Sequence, residues 1–120
     1  MSFPLRVAPL VALLFACASP LAQAKSDYRE ARYAEAKAQL VALEGEAQGY
    51  DGARRAEHAL YLGLVHLALG DQPRAAEWLA KAERAENEHP GSLGNMDLAR
   101  LRSAKGALVA APAAAPGNAQ

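Results

Sequence analysis

The sequence contains no isoleucine and no threonine, and it has only one cysteine and one tryptophan among 120 residues. Because β-branched and aromatic residues favour strands, their scarcity argues against a β-sheet protein. Alanine, which has the highest helix propensity, fills 30 positions. A single cysteine excludes an internal disulfide framework and a cysteine-based zinc site. The composition therefore predicts an all-α protein, and the length allows one small domain.

An excess of charge of either sign is also missing, since 13 basic residues balance 13 acidic ones. Proteins that bind nucleic acid carry a basic patch, so this balance argues against a nucleic-acid partner. The apolar run Val7–Ala16 is well short of the roughly 20 residues that a membrane-spanning helix needs. We therefore expect no transmembrane helix in the mature chain.

Catalytic motifs are absent too, because neither a nucleophile elbow nor a phosphate-binding loop occurs in the sequence. His58 and His66 are eight positions apart, a spacing that does not place two metal ligands side by side on a helix. We expect His66 to pack between helices and the other two histidines to be exposed. The sequence thus predicts a protein that is not an enzyme and holds no metal or cofactor.

Residues 1–24 have the pattern of a secretory signal peptide. Arg6 precedes the apolar run Val7–Ala16, and Pro20, which comes after this run, is expected to break any helix. Ala22-Gln23-Ala24 then supplies the small-x-small pattern that signal peptidases cleave. This pattern predicts cleavage after Ala24 and an exported chain, periplasmic or secreted, that begins at Lys25.

The same segment has a second interpretation. Leu14-Phe15-Ala16-Cys17 resembles the lipobox of bacterial lipoproteins, in which the cysteine becomes the lipidated first residue. Phe15 departs from that pattern, which usually has a smaller residue at this position. Both interpretations place the domain outside the cytoplasm. They differ in whether Cys17 carries a lipid anchor.

Periodicity and capping signals predict four helices between residues 25 and 109. The first is expected over 27–44, with Asp27 as its N-cap and Glu30 completing a capping box. After a glycine-rich loop at 45–53, an almost wholly apolar helix is expected over 53–69, ended by Gly70. Asp71 would cap the third helix, which runs to 86, and the fourth is expected over 95–108. Residues 110–120 form an Ala/Pro-rich tail that we expect to be disordered.

The second and third helices carry a spaced motif: Ala59-x-x-Leu62-Gly63-x-x-His66, then Gly70-Asp71, then Ala75-x-x-x-Leu79-x-x-Ala82. It resembles the tetratricopeptide repeat, although Ala59, His66 and Leu79 stand where that family usually has Trp, Tyr and Phe. Ala36 and Leu40 repeat part of it 39 residues earlier. The resemblance implies a short antiparallel array of helical hairpins with a terminal capping helix. Within the hairpin, Gly63 and Ala75 would let the two backbones approach each other.

In this family the first helix of each repeat lines a ligand-holding groove. The resemblance therefore implies a candidate partner-binding face on the second helix, formed by Glu57, Leu60, Tyr61, Leu64 and Leu67. The first and fourth helices would otherwise cover the same residues as ordinary core.

The function expected from this resemblance is a non-catalytic scaffold of the bacterial envelope or periplasm that binds another protein or itself. One alternative is a lipid-anchored structural component of an envelope assembly. A carrier of a small ligand is another.

Overall fold

A computed structural model of the protein describes residues 19–110, and the regular structure in that range is entirely helical. The helices are α1 (Pro20–Arg29), α2 (Tyr33–Ala42), the single turn α3 (Glu44–Ala47), α4 (Gly52–Ala68), α5 (Gln72–Glu88) and α6 (Asn95–Ala110). Two hairpins, α1–α2 and α4–α5, pack together through α4, and α6 packs on the second hairpin. The predicted all-α fold is confirmed. The expected tail beyond Ala110, the apolar run Val7–Ala16 and Cys17 lie outside the described residues.

Helix α1 was not expected, and it begins inside the predicted signal segment. The Ser19 hydroxyl accepts a hydrogen bond from the Ala22 N–H at 3.0 Å and so caps the helix. Pro20 occupies the first helical position, where its missing N–H has no intrahelical partner to lose. Pro20 therefore begins a helix, and the break expected before it falls on residues outside the described range.

The single helix expected over 27–44 is also wrong, because the chain turns between α1 and α2. Ala31 has a φ of +64°, and the Arg32 N–H donates to the Asp27 carbonyl oxygen at 2.8 Å. This is a Schellman ending with alanine at the left-handed position that glycine usually occupies. The second hairpin turns in the same way at Gly70, whose φ is +87°, with the Asp71 N–H donating to the His66 carbonyl at 2.8 Å.

Asp27 is a buried link between α1 and α2 rather than a helix cap. Its carboxylate accepts hydrogen bonds from Arg32 Nη2 at 2.8 Å, from Gln39 Nε2 at 2.6 Å and from Gln23 Nε2 at 3.3 Å. The Arg32 guanidinium first, and the Gln39 amide second, hold the pKa of Asp27 below its usual 3.8. The predicted capping box with Glu30 is therefore wrong.

The predicted ends of the second hairpin are confirmed to within two residues. Asp51 caps α4 by accepting from the Arg54 N–H at 2.9 Å, and Asp71 caps α5 by accepting from the Arg74 N–H. After α5, the Glu86 carboxylate accepts hydrogen bonds from the N–H groups of Gly91 and Leu93, both at 2.8 Å. This clamp orders the loop that leads into α6.

Helix α4 is the centre of the core, as its apolar sequence predicts. All nine residues from His58 to His66 are buried, and Leu60, Tyr61 and Leu62 are among the largest enclosed side chains. Helices α1, α2, α5 and α6 each contact a part of its surface. Across residues 19–110 no helix is both long and apolar enough to cross a membrane.

The close approach expected at Gly63 exists, and the atoms nearest to this glycine belong to Leu79 of α5. A Cβ atom placed on Gly63 would lie 2.7 Å from Leu79 Cδ2 and 3.1 Å from the Leu79 backbone nitrogen. Ala75 is fully buried one helical turn nearer to the bend of the hairpin. Glycine is therefore required at position 63 by the proximity of the α5 backbone, not by a positive φ.

We predict that Gly63→Ala lowers the free energy of unfolding by about 1–3 kcal/mol, because the added methyl group forces α4 and α5 apart. Gly106→Ala is the matched control, since Gly106 is also within a helix but has open space around its Cα. The control should raise stability by about 0.5–1 kcal/mol. Urea denaturation of the two variants measures the difference. Equal effects would contradict the packing described here.

The two Schellman turns lead to a second prediction, in which exchanging alanine and glycine changes the stability in opposite directions at the two turns. Ala31→Gly should stabilise the protein by about 0.5–1 kcal/mol, because glycine adopts the left-handed conformation without the penalty that alanine carries. Gly70→Ala should destabilise it by about 1 kcal/mol, although no atom lies within 4 Å of the added Cβ position. Thermal unfolding followed by circular dichroism tests both, and a stabilising Gly70→Ala would refute the assignment.

Candidate functional site

Three helices of the array form a groove on one side of the molecule. The groove has a volume of about 470 Å³. Its walls come from α1, α4 and α6, and the residues that line it are Tyr28, Leu64, Leu67, Met96, Ala99, Arg100, Ser103, Ala104 and Ala107. We call this surface the α6 groove. Its lining is mostly apolar, and Met96 stands at its edge with 71% of its surface exposed.

The face predicted on α4 divides between this groove and the core. Leu60 and Tyr61 are fully buried. Leu64, which is 5% exposed, and the half-buried Leu67, one turn further along, line the α6 groove. Glu57 is half-buried and lines an adjoining depression. Leu60 and Tyr61 therefore belong to the core, whereas partner binding through Leu64, Leu67 and Glu57 stays a prediction.

Tyr61 fixes the position of α6 from within the core. Its hydroxyl donates a hydrogen bond to Asp97 Oδ1 at 2.9 Å, and its ring packs edge-on against Tyr28 of α1 with 5.5 Å between centroids. Burial, followed by this hydrogen bond to a carboxylate, raises the pKa of Tyr61 to about 12. Tyr61 thus remains a neutral donor that ties together the three helices of the groove.

Charged side chains surround one end of the groove. A neighbouring depression is lined by Arg29, Glu57, Asp97 and Arg100, and it shares Met96 and Arg100 with the groove itself. Two ion pairs occur here: Arg100 contacts Asp97 at 2.9 Å, and Lys25 contacts Glu57 at 3.1 Å. Arg29 makes no ion pair within residues 19–110. This end therefore offers an exposed guanidinium beside an apolar surface.

The α6 side of the groove was missed in the sequence. The predicted packing stripe of this helix, Leu98, Leu101 and Leu108, does face the core. Met96, Arg100, Ser103 and Ala107 recur at three- and four-residue spacing on another side of the helix. That spacing is the sequence pattern from which this wall of the groove could have been predicted. A stripe so rich in alanine and polar residues does not look like a binding surface by composition.

The residues predicted to pack the hairpin are all buried between helices: Leu62, Gly63, His66, Ala75, Leu79 and Ala82. His58, expected to be exposed, is buried as well, and its Nε2 donates to the Leu40 carbonyl oxygen at 2.9 Å. Its ring packs edge-on against Trp78 at 5.7 Å, so both are packing residues. Among the residues that the structure describes, no group of three His, Cys, Asp or Glu side chains could hold a metal ion.

His66 is a buried histidine without a full set of partners. Its Nδ1 makes no hydrogen bond, and the nearest carboxylate oxygen, Asp71 Oδ2, is 3.9 Å away. Burial lowers the pKa of His66 below its usual 6.5, and the nearby cations Lys37 and Arg74 act in the same direction. Asp71 and Glu44 oppose the shift. His66 is therefore held in its neutral form in the folded protein.

A pH dependence of stability follows from the lowered pKa of His66. Below pH 6.5 the unfolded chain binds a proton at this side chain that the folded protein resists. The free energy of unfolding should have its full value above that pH. It should fall as the solution is acidified towards the pKa of His66 in the folded state. Urea denaturation between about pH 7.5 and 5 measures the slope. His66→Gln should remove it and His89→Gln, at an exposed position, should not; an unchanged slope in His66→Gln would contradict this.

Comparisons of the chain with protein-family models, with curated proteins and with solved structures gave no match. The tetratricopeptide resemblance therefore stays a prediction from the spacing of residues.

Proposed function

We propose that this protein is an exported, non-catalytic binding module with a tetratricopeptide-like arrangement, and that its α6 groove holds a segment of another protein. The observation that carries the proposal is Met96, an apolar side chain that is 71% exposed at the edge of a groove already lined by Leu64, Leu67 and alanines. Burying such a surface against a partner is favourable by about 25 cal/mol for each Å² removed from water.

The chemistry of the groove specifies the partner segment in outline. Apolar side chains fit against Leu64, Leu67 and Met96. At the charged end, Arg29 makes no ion pair among residues 19–110 and lies beside Arg100, so a carboxylate of the partner has a donor there. A short helix or extended segment with several apolar side chains and one acidic residue near its end satisfies both requirements.

Export is supported by the sequence of residues 1–24 and by the absence of cysteine from residues 19–110. A partner would therefore be another exported or envelope protein. A second copy of this chain is the competing occupant of the groove, and the experiment below distinguishes the two.

The test places a photo-crosslinking amino acid at Ala99, an exposed residue of the groove wall, in the full chain produced in its export-competent form. The same substitution at Val109, which is 79% exposed and outside the groove, is the control. We expect a crosslink from position 99 only, to a segment with the stated apolar and acidic pattern. A crosslink to a second copy, or equal crosslinking from both positions, would overturn the proposal.

Once the crosslinked segment is known, its synthetic peptide is titrated against two surface variants. Met96→Glu should weaken binding at least about tenfold, because it removes a buried apolar contact worth roughly 1.5–3 kcal/mol and introduces a charge. Val109→Glu should bind like the unaltered protein. Both positions are exposed, so neither variant should lose stability, and circular dichroism checks this.

A further inference from the structure

We propose that the mature chain begins at Ser19, because a signal peptidase hydrolyses the Ala18–Ser19 peptide bond and not the Ala24–Lys25 bond that the sequence pattern first suggests. The inference depends on the proposed export but not on what the α6 groove binds. It starts from helix α1, which contains the whole of the expected cleavage motif Ala22-Gln23-Ala24.

Cleavage after Ala24 would remove the first half of α1. Only Lys25–Arg29 would remain, and five residues are too few to keep a helix once its cap is lost, since a helix nucleus is costly to form. The Ser19 hydroxyl that caps the helix would go with the removed segment. The hydrogen bond from Gln23 to Asp27 would be lost as well.

The same cleavage would also open the core. Leu21 is 6% exposed and Ala24 is fully enclosed, and both belong to the buried cluster that includes Leu60 and Tyr61. Burial along this segment has the periodicity of a helix with one side on the core, because Leu21 and Ala24 face inward while Ala22 and Gln23 are exposed. Residues 19–24 therefore have the burial pattern of a helix that belongs to the folded domain. A leader segment that is cleaved off does not need such a pattern.

A second cleavage pattern lies immediately upstream of this helix. Ala16-Cys17-Ala18 has the same small-x-small arrangement and directly follows the apolar run that ends at Ala16. Hydrolysis there consumes one water molecule and leaves a carboxylate on Ala18 and a free amino group on Ser19. The product retains the cap, the complete helix α1 and both buried side chains. Of the two sites, this one yields a chain that can form the observed fold.

Lipidation at Cys17 would also retain α1, but the segment fits it less well. The pattern usually has a smaller residue where Phe15 stands, and Ala18 alone would separate the lipidated cysteine from the helix cap at Ser19. We therefore assign hydrolysis at Ala18–Ser19, and a lipidated amino terminus is an outcome that would refute this.

The experiment expresses the full chain with its own leader in an exporting bacterial host and determines the amino terminus of the exported protein by intact mass and sequencing. We expect a single product that begins at Ser19. A start at Lys25, a diacylated Cys17 or an uncleaved chain would each overturn the proposal.

Two matched variants locate the cleavage pattern independently. Ala18→Gln places a large side chain at the last position before the proposed bond, so the Ser19 product should be lost. Ala22→Gln disrupts the alternative pattern at an exposed position of α1, where the fold accommodates it. This variant should be processed at Ser19 like the unaltered chain. Loss of processing in Ala22→Gln with normal processing in Ala18→Gln would show that the bond after Ala24 is the one cleaved.

Discussion

The central part of helix α4, from His58 to His66, is buried on every side, and the rest of the structure follows from the need to cover it. Nine consecutive residues from His58 to His66 are removed from solvent, so a single neighbouring helix is not enough. Helix α5 covers one side at the close approach of Gly63 and Leu79. The α1–α2 hairpin and α6 cover the remainder. The groove exists because α1 and α6 meet α4 from two directions and leave Leu67, next to the end of the buried stretch, only partly covered.

The fold could be predicted wherever the local signal and the residue type agree. Gly70 ends α4 in a left-handed turn, and a glycine at this position predicts such a turn from the sequence. Ala31 makes the same turn at the end of α1, but alanine is also the best helix former, so periodicity extends through it. The turn is maintained by tertiary contacts, since Asp27 bonds Arg32 and Gln39 on the next helix. Such long-range compensation has no counterpart in local sequence patterns.

The part of the groove that could be predicted from the sequence is the part that α4 contributes, next to the core. The apolar face of α4 was identified, because an unbroken apolar run has to contact something. Which of its residues remain accessible depends on how far α1 and α6 extend over it, and this is a property of the assembled helices. Met96 and Arg100 were missed because the one clear pattern in α6 is its leucine stripe. This stripe predicts which side of the helix packs on the core, but it gives no information on the residues of the other side.

Helix α6 is attached differently from the two hairpins. Only Leu101 and Ala104 of this helix are buried, whereas polar contacts join it to its neighbours: Tyr61 to Asp97, and Lys105 to Glu83. Elements with little apolar burial open locally at a lower free energy than the whole protein. Backbone amides of α6 would then exchange hydrogen for deuterium ahead of those in α4. A partner segment bound beside Met96 would slow this exchange. Helix α6 would then be both a wall of the groove and the element that binding makes more rigid.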